Sequence, residues 1–344
     1  MQEVANLNPS SLLSANEAHI DRRVFISALA LTTLLSAGLA SWLPLQVSIL
    51  TVFLFAGPHN WFELRYFLTR MPVRFGQSQK FFLTAFVGLI ILVATYISLP
   101  LLFRVALWTN ESWLTVLAIW NSLLLLWVGL LVWLRRKQKA HAHWSWIVPL
   151  TLALGAGNWV APELFSLTLV YAHPLVAFWF LDQHLQRVRP EWVAGYRFSL
   201  LLVPVVIGVM IWQLSGTLPL QNDNGLFWRI TQHSGAELFP NVSSHLLVSA
   251  HLFLEMLHYA VWILALPLLG RRLNESFWKS RSIPIARHPR GFPRLIALVL
   301  SVGVVVVVVL WVGFSVDYST TRDIYFTLAI AHVMAEAPFL LRML

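Results

Sequence analysis

Residues 45–67 read LQVSILTVFLFAGPHNWFELRYF. The first dozen are apolar enough for lipid, and a helix needs about 20 such residues to cross a bilayer. Yet His59 and Glu63 stand inside the same segment, four residues apart and so on one helical face. Ionisable groups in hydrocarbon are costly, rare and usually functional. The segment therefore poses two questions: whether the chain is a membrane protein, and what its buried imidazoles and carboxylates do.

Composition answers the first. The chain has 344 residues, 58% of them hydrophobic and 11% charged, against roughly 25% charged in a soluble domain. Its mean hydropathy is +0.69. A disordered chain and an ordinary water-soluble globule are both excluded, because most faces have nothing polar to show water. Cysteine is absent, which removes disulfides, thiolate metal sites, iron–sulfur clusters and a cysteine nucleophile. The net charge of +9 reads as basic loops against anionic lipid, not as a nucleic-acid surface.

Outward from 45–67, apolar spans are predicted at 24–43, 81–103, 113–134, 144–160, 162–185, 198–214, 242–269, 294–316 and 322–342, ten in all with breaks at Pro44 and at Gly157–Pro162. The expected fold is an all-α, polytopic helical bundle, residues 24–344 forming one membrane domain after a polar segment 1–23. With ten spans, all but Arg104, Arg229 and Arg322 of the 24 Lys and Arg residues lie on the side of the termini. The positive-inside rule makes that side cytoplasmic, in a bacterial inner membrane or its equivalent. No signal-peptide pattern opens the chain, and no internal repeat or soluble module is visible. The run Val304–Val309 reads as lipid-facing helix, and Trp42, Trp113, Trp144, Trp146, Trp192 and Trp278 as interfacial belts.

The histidines answer the second question in part. His59, His173, His258 and His332 fall on the second, sixth, eighth and tenth spans. Each lies within about three residues of its span's midpoint, roughly 5 Å at 1.5 Å per residue. These four spans run in one direction, so four imidazoles at one depth are able to meet. Glu63 and Glu336 follow their histidines by four residues and Glu255 precedes His258 by three, the pattern of helix-bundle metal sites. The four histidines are expected to ligate a metal, with Glu63, Glu255 and Glu336 as further ligands or as catalytic orienters of ligand imidazoles. His251, on nearly the same face as His258, is a further ligand candidate about a turn and a half away. Imidazole and carboxylate suit Fe(II), Zn or Mn. Four His leave two positions of a six-coordinate iron open to dioxygen and substrate; direct carboxylate ligation makes a two-metal, di-iron site. Mid-membrane placement implies a lipophilic substrate that arrives through the bilayer.

Blander roles are expected elsewhere. His245 and His184 lie at the two interfaces and read as structural. His141, His143, His233 and His288 fall in loops and read as solvated, and Asp182 as a partner of Arg187 or Arg189. Glu163 reads as an interfacial cap, and the aromatics Trp61, Phe62, Phe178, Trp179 and Phe180 as packing that would also line a carotenoid groove.

Gly57-Pro58-His59 in an early span, His-bearing later spans and Ala331-His332 in the last one together resemble the Brp/Blh family of membrane β-carotene 15,15′-dioxygenases. The resemblance implies a non-haem iron protein that cleaves a polyene with dioxygen. Asn60 and Glu63 stand where that family has Gly and Asp. No HxxxH or HxxHH box occurs, which separates the chain from desaturase-type oxygenases. Three alternatives remain: a b-type haem electron carrier, since His on parallel spans also ligate haem; a proton- or metal-coupled transporter; and a packing partner of other subunits in a larger membrane complex.

Overall fold

The computed structural model describes residues 21–70, 78–105, 109–138, 146–220, 225–270 and 293–343. Residues 1–20 of the polar amino-terminal segment, His141, His143, His288 and the basic residues between 271 and 292 lie outside them. Among the described residues the chain is helical throughout, with no strand. The helices are α1 (Arg22–Trp42), α2 (Pro44–Arg70), α3 (Gln79–Val105), α4 (Asn110–Gln138), α5 (Ile147–Val160), α6 (Pro162–Val188), α7 (Val193–Leu200), α8 (Leu202–Leu214), α9 (Leu226–His233), α10 (Ser244–Ala260), α11 (Leu266–Gly270), α12 (Pro293–Val316) and α13 (Tyr318–Met343). A single π-helical turn, Val261–Ala265, joins α10 to α11.

Proline sets several of the boundaries. Pro44, Pro162 and Pro293 each stand at the first position of a helix, where the missing N–H is no loss and the fixed φ is already helical. The breaks fall at Leu43 and Ala161, between α1 and α2 and between α5 and α6. Asp21 caps α1 through the Arg23 N–H, at 3.3 Å.

Among the described residues eight helical segments are long and apolar enough to cross a membrane: Arg22–Trp42, Gln79–Leu99, Glu111–Gln138, Pro162–Val188, Pro190–Leu214, Ser244–Leu269, Ile296–Val316 and Tyr318–Arg342. This is the mark of a multi-pass membrane protein in contact with lipid. The two remaining expected spans are present as helices that differ in kind. The 27-residue α2 is diluted by polar side chains, and α5 has only 14 residues. The outward face of α12 is bare, with Val305, Val306, Val308 and Val309 all at least half exposed or close to it, as suits a helix solvated by acyl chains.

Helix α12 is nevertheless tightly stapled to α2. The Trp61 indole donates to Leu300 O and the Trp311 indole to Phe53 O, both at 2.9 Å. Gly303 lets the Trp61 ring approach: a Cβ there would lie 2.9 Å from it. Helix α2 is thereby fixed against α10 and α12, with His59 turned inward and 1% exposed.

Candidate metal centre

Four helices supply the centre. His59 (α2), His173 (α6), His258 (α10) and His332 (α13) form a closed ring. Successive ring centroids are 5.4 Å apart for His59–His258, 4.5 Å for His258–His173, 4.9 Å for His173–His332 and 5.3 Å for His332–His59. Ligand atoms of His59, His258 and His332 all lie within 4.8 Å of one another, and His173 Nε2 is 3.1 Å from His332 Nε2. The mutual group holds three of the four histidines, and an ion about 2.1 Å from each of those three nitrogens would need inward movement of their rings; His173 adjoins it through His332.

Two proline-bearing turns help to build it. Pro58 precedes His59 and Pro174 follows His173, each inside a helix. Each proline removes one helical hydrogen bond, which membrane helices tolerate where neighbours enclose them. His59 Nδ1 donates to Phe55 O, one turn earlier, at 2.9 Å. That bond fixes the tautomer and leaves Nε2 as the free donor atom. The π-helical turn begins three residues after His258, a distortion frequent at functional sites.

The site is short of partners. Both nitrogens of His258, Nδ1 of His173 and of His332, Glu63 Oε2 and Glu336 Oε1 are buried without a hydrogen bond among the described residues. Glu63 and Glu336 are 2% and 1% exposed, and close enough for their charges to interact. Buried polar groups in native proteins are normally paired, and a buried carboxylate without a counter-charge is expensive. A cation here would take one nitrogen from each imidazole and offset the charge of the carboxylates.

Glu336 and Glu255 have partners other than the histidines of their own helices. Glu336 Oε2 lies 3.2 Å from Nδ1 of His173, on another helix, not from His332 one turn back on its own. Glu255 accepts a short hydrogen bond from Tyr259 Oη, one turn further along its own helix. The Tyr259 ring in turn packs at 4.3 Å from His59. His251 stands apart from the ring of four, 5.1 Å from His233 and 5.5 Å from Tyr171.

Two expectations need correction. His233 is not solvated: the short amphipathic α9 folds it inward against His251 and Phe326, the latter at 4.3 Å. Burial, with His251 and Arg322 alongside, holds its imidazole well below the usual histidine range. Asp182 pairs with neither Arg187 nor Arg189. It takes a two-pronged bond from Arg197, at 2.8 and 2.9 Å, because α7 folds back along α6. The structural readings of the interfacial histidines agree with their contacts: His245 Nε2 donates to Ser41 O at 2.8 Å, and His184 meets the Tyr66 hydroxyl at 3.2 Å.

Two different neighbourhoods flank the ring of four. On one side lies an aromatic plug of Phe67, Phe180, Trp262 and Phe339, with Phe67 and Phe339 stacked at 4.2 Å. Each plug residue follows the histidine of its own helix by four to eight positions, so the four helices run in the same direction. On the other side is a cavity of about 170 Å³, reaching from the four imidazoles to His233 and His251 and walled by Tyr96, Trp120 and Ile330 among others. Sequence reasoning missed Tyr259, Arg322, Asn121 and Asn158. All are polar residues inside apolar helices, a signal that extends beyond the His and Glu residues it was applied to.

No protein-family model, no curated protein and no solved structure matches this chain.

Proposed function

We propose that the chain is a ten-span membrane oxygenase, with both termini cytoplasmic, that uses a non-haem iron held by His59, His173, His258 and His332. What supports this reading above all is the ring of four imidazoles with two uncompensated carboxylates beside it. The donor set is nitrogen and oxygen only, which suits Fe(II), Zn or Mn over Cu(I). Iron would supply redox and Lewis-acid chemistry. Glu336 would orient the His173 imidazole through its Nδ1, and Phe55 O would do the same for His59. If Glu63 and Glu336 ligate directly, the same side chains would hold two ions.

The aromatic plug closes one side, so substrate and dioxygen would enter through the cavity on the other. Its largely apolar wall fits a carotenoid, isoprenoid or acyl chain. A haem carrier is the weaker reading: axial imidazoles must stand on opposite faces of a planar macrocycle, and rings 4.5–5.4 Å apart leave no space for one. The plug likewise gives a transporter no path through the bundle.

Metal analysis of the chain purified from membranes tests the proposal. Iron near one or two ions per chain, lost in His258→Ala, is the expected result. Oxygen uptake with a polyene or isoprenoid substrate should depend on that iron. Wild-type protein with no stoichiometric iron, manganese or zinc would end the enzyme reading.

A further inference from the structure

The cavity wall carries a second polar feature that the metal reading does not use. Asn121, in the middle of α4, is fully buried and borders the cavity together with Ser166, Tyr96 and Trp120. It belongs to a knot of side chains that ties α4, α5 and α6. Asn158 Nδ2 donates to Ala118 O at 2.8 Å and to Ser122 Oγ at 3.1 Å. The Ser122 hydroxyl donates to Ala118 O at 2.8 Å, and the Ser166 hydroxyl to Pro162 O at 3.1 Å. Asn121 Nδ2 donates to Asn158 Oδ1 at 2.8 Å, with Pro162 O and Ser166 Oγ each at 3.3 Å.

These bonds leave no freedom of orientation. The Asn158 amide nitrogen is held on a backbone carbonyl, so its oxygen faces Asn121. Asn121 must answer with its own nitrogen and turn its oxygen away. That oxygen, Oδ1, is buried and accepts nothing among the described residues. The knot has committed all its donors and retains one acceptor. The nearby Trp120 N–H is committed too, to Leu92 O at 3.1 Å. An occupant that satisfies this wall therefore brings an O–H or N–H. No carboxylate belongs to the knot, so a neutral donor suits it better than an ammonium.

Size narrows the ligand further. At about 170 Å³ the cavity is smaller than the roughly 300–1,000 Å³ of most ligand sites. It holds one end of an elongated molecule, with the remainder lying between helices or in lipid. We infer that the cavity receives the hydroxyl-bearing end of a lipophilic alcohol, of isoprenoid or long-chain type, which donates its O–H to Asn121 Oδ1. This rests on the cavity being the substrate site, but the Asn121 contact does not itself depend on a metal.

The test compares three matched probes on the full chain in nanodiscs: farnesol, its methyl ether, which keeps the oxygen but not the donor, and the hydrocarbon farnesene. Farnesol should displace tritiated farnesol about tenfold more effectively than the ether, the value of one hydrogen bond to a buried acceptor. In Asn121→Leu the two should fall within twofold of each other. Equal binding of alcohol and ether to wild type, as when a water serves Asn121, overturns the inference; so does a preference that survives in Asn121→Leu. Should that variant not fold, farnesol with a diazirine beside the hydroxyl should label wild-type α4 and α6 near Asn121 and Ser166. Labelling confined to 226–260 overturns the assignment. Metal content is measured on the same preparations. A donor preference without metal keeps this inference and removes the iron reading, and metal without a preference does the reverse.

Discussion

Two buried polar groups, both inside the helical bundle, have opposite hydrogen-bond states. The Asn121–Asn158 knot satisfies every donor and all but one acceptor within the protein. The ring of His59, His173, His258 and His332 leaves four nitrogens without a hydrogen bond, and two carboxylates beside it each have an unpartnered oxygen. Both lie where lipid-exposed groups would have no water to turn to. The knot reads as a structural joint between α4, α5 and α6 that keeps a single acceptor, Asn121 Oδ1, for an occupant of the cavity. The ring, on the function proposed above, is a cation site. Deficits of this kind, not polarity as such, mark the place where a bundle binds a ligand.

The sharpest way to break this contrast is to remove one imidazole. Neither His258 nitrogen makes a hydrogen bond of good geometry, so His258→Ala should cost the chain a cavity but leave it folded, while bound metal falls below about a tenth of wild type. A structural histidine would show the reverse, a lower Tm with metal content unaffected or absent throughout. Next in size is Glu336→Gln, which keeps the shape but removes the charge next to His173 Nδ1. Losing such an outer contact should weaken metal affinity about 10–100-fold, measured by competition with a chelator.

The knot should respond in the opposite way. Asn158→Leu removes the acceptor of the shortest Asn121 bond and the donor shared by Ala118 O and Ser122 Oγ, at about 1–3 kcal/mol. Its thermal midpoint in detergent should drop by several degrees while its metal content stays at the wild-type level. The smallest effect belongs to an exposed polar contact. Asp317 accepts from the Thr320 N–H at 3.1 Å and caps α13, and contacts with Thr320 hold its carboxyl below the usual range. The unfolded chain therefore binds the extra proton first. The contribution is present above about pH 4 and is lost as pH falls through the folded value. Asp317→Ala should lower the midpoint slightly at neutral pH, and the difference from wild type should vanish in strong acid.

The depth of the four histidines was legible in the sequence because a membrane fixes it. Spans of known rise, started from the same surface, put residues such as His59 and His332 at a computable level. Face-sharing along one helix was legible for the same reason. What spacing along one helix does not carry is which neighbour a side chain meets across the bundle. Glu336 reaches His173 on another helix, and Asp182 meets Arg197 after the chain has reversed direction. His233 was misjudged because α9 is too short to read as a span, although Leu226, Phe227 and Ile230 give it an apolar face. Asn121 and Asn158 went unnoticed because amides are less conspicuous in an apolar helix than charges.

X-ray absorption at the metal edge of the purified, membrane-extracted protein tests the central claim most directly. Three or four imidazole nitrogens around iron, with their ring scattering lost in His59→Ala and His258→Ala alike, is the outcome this account predicts. A metal bound without imidazoles, or an absorption edge too weak for even one ion per chain, would contradict it.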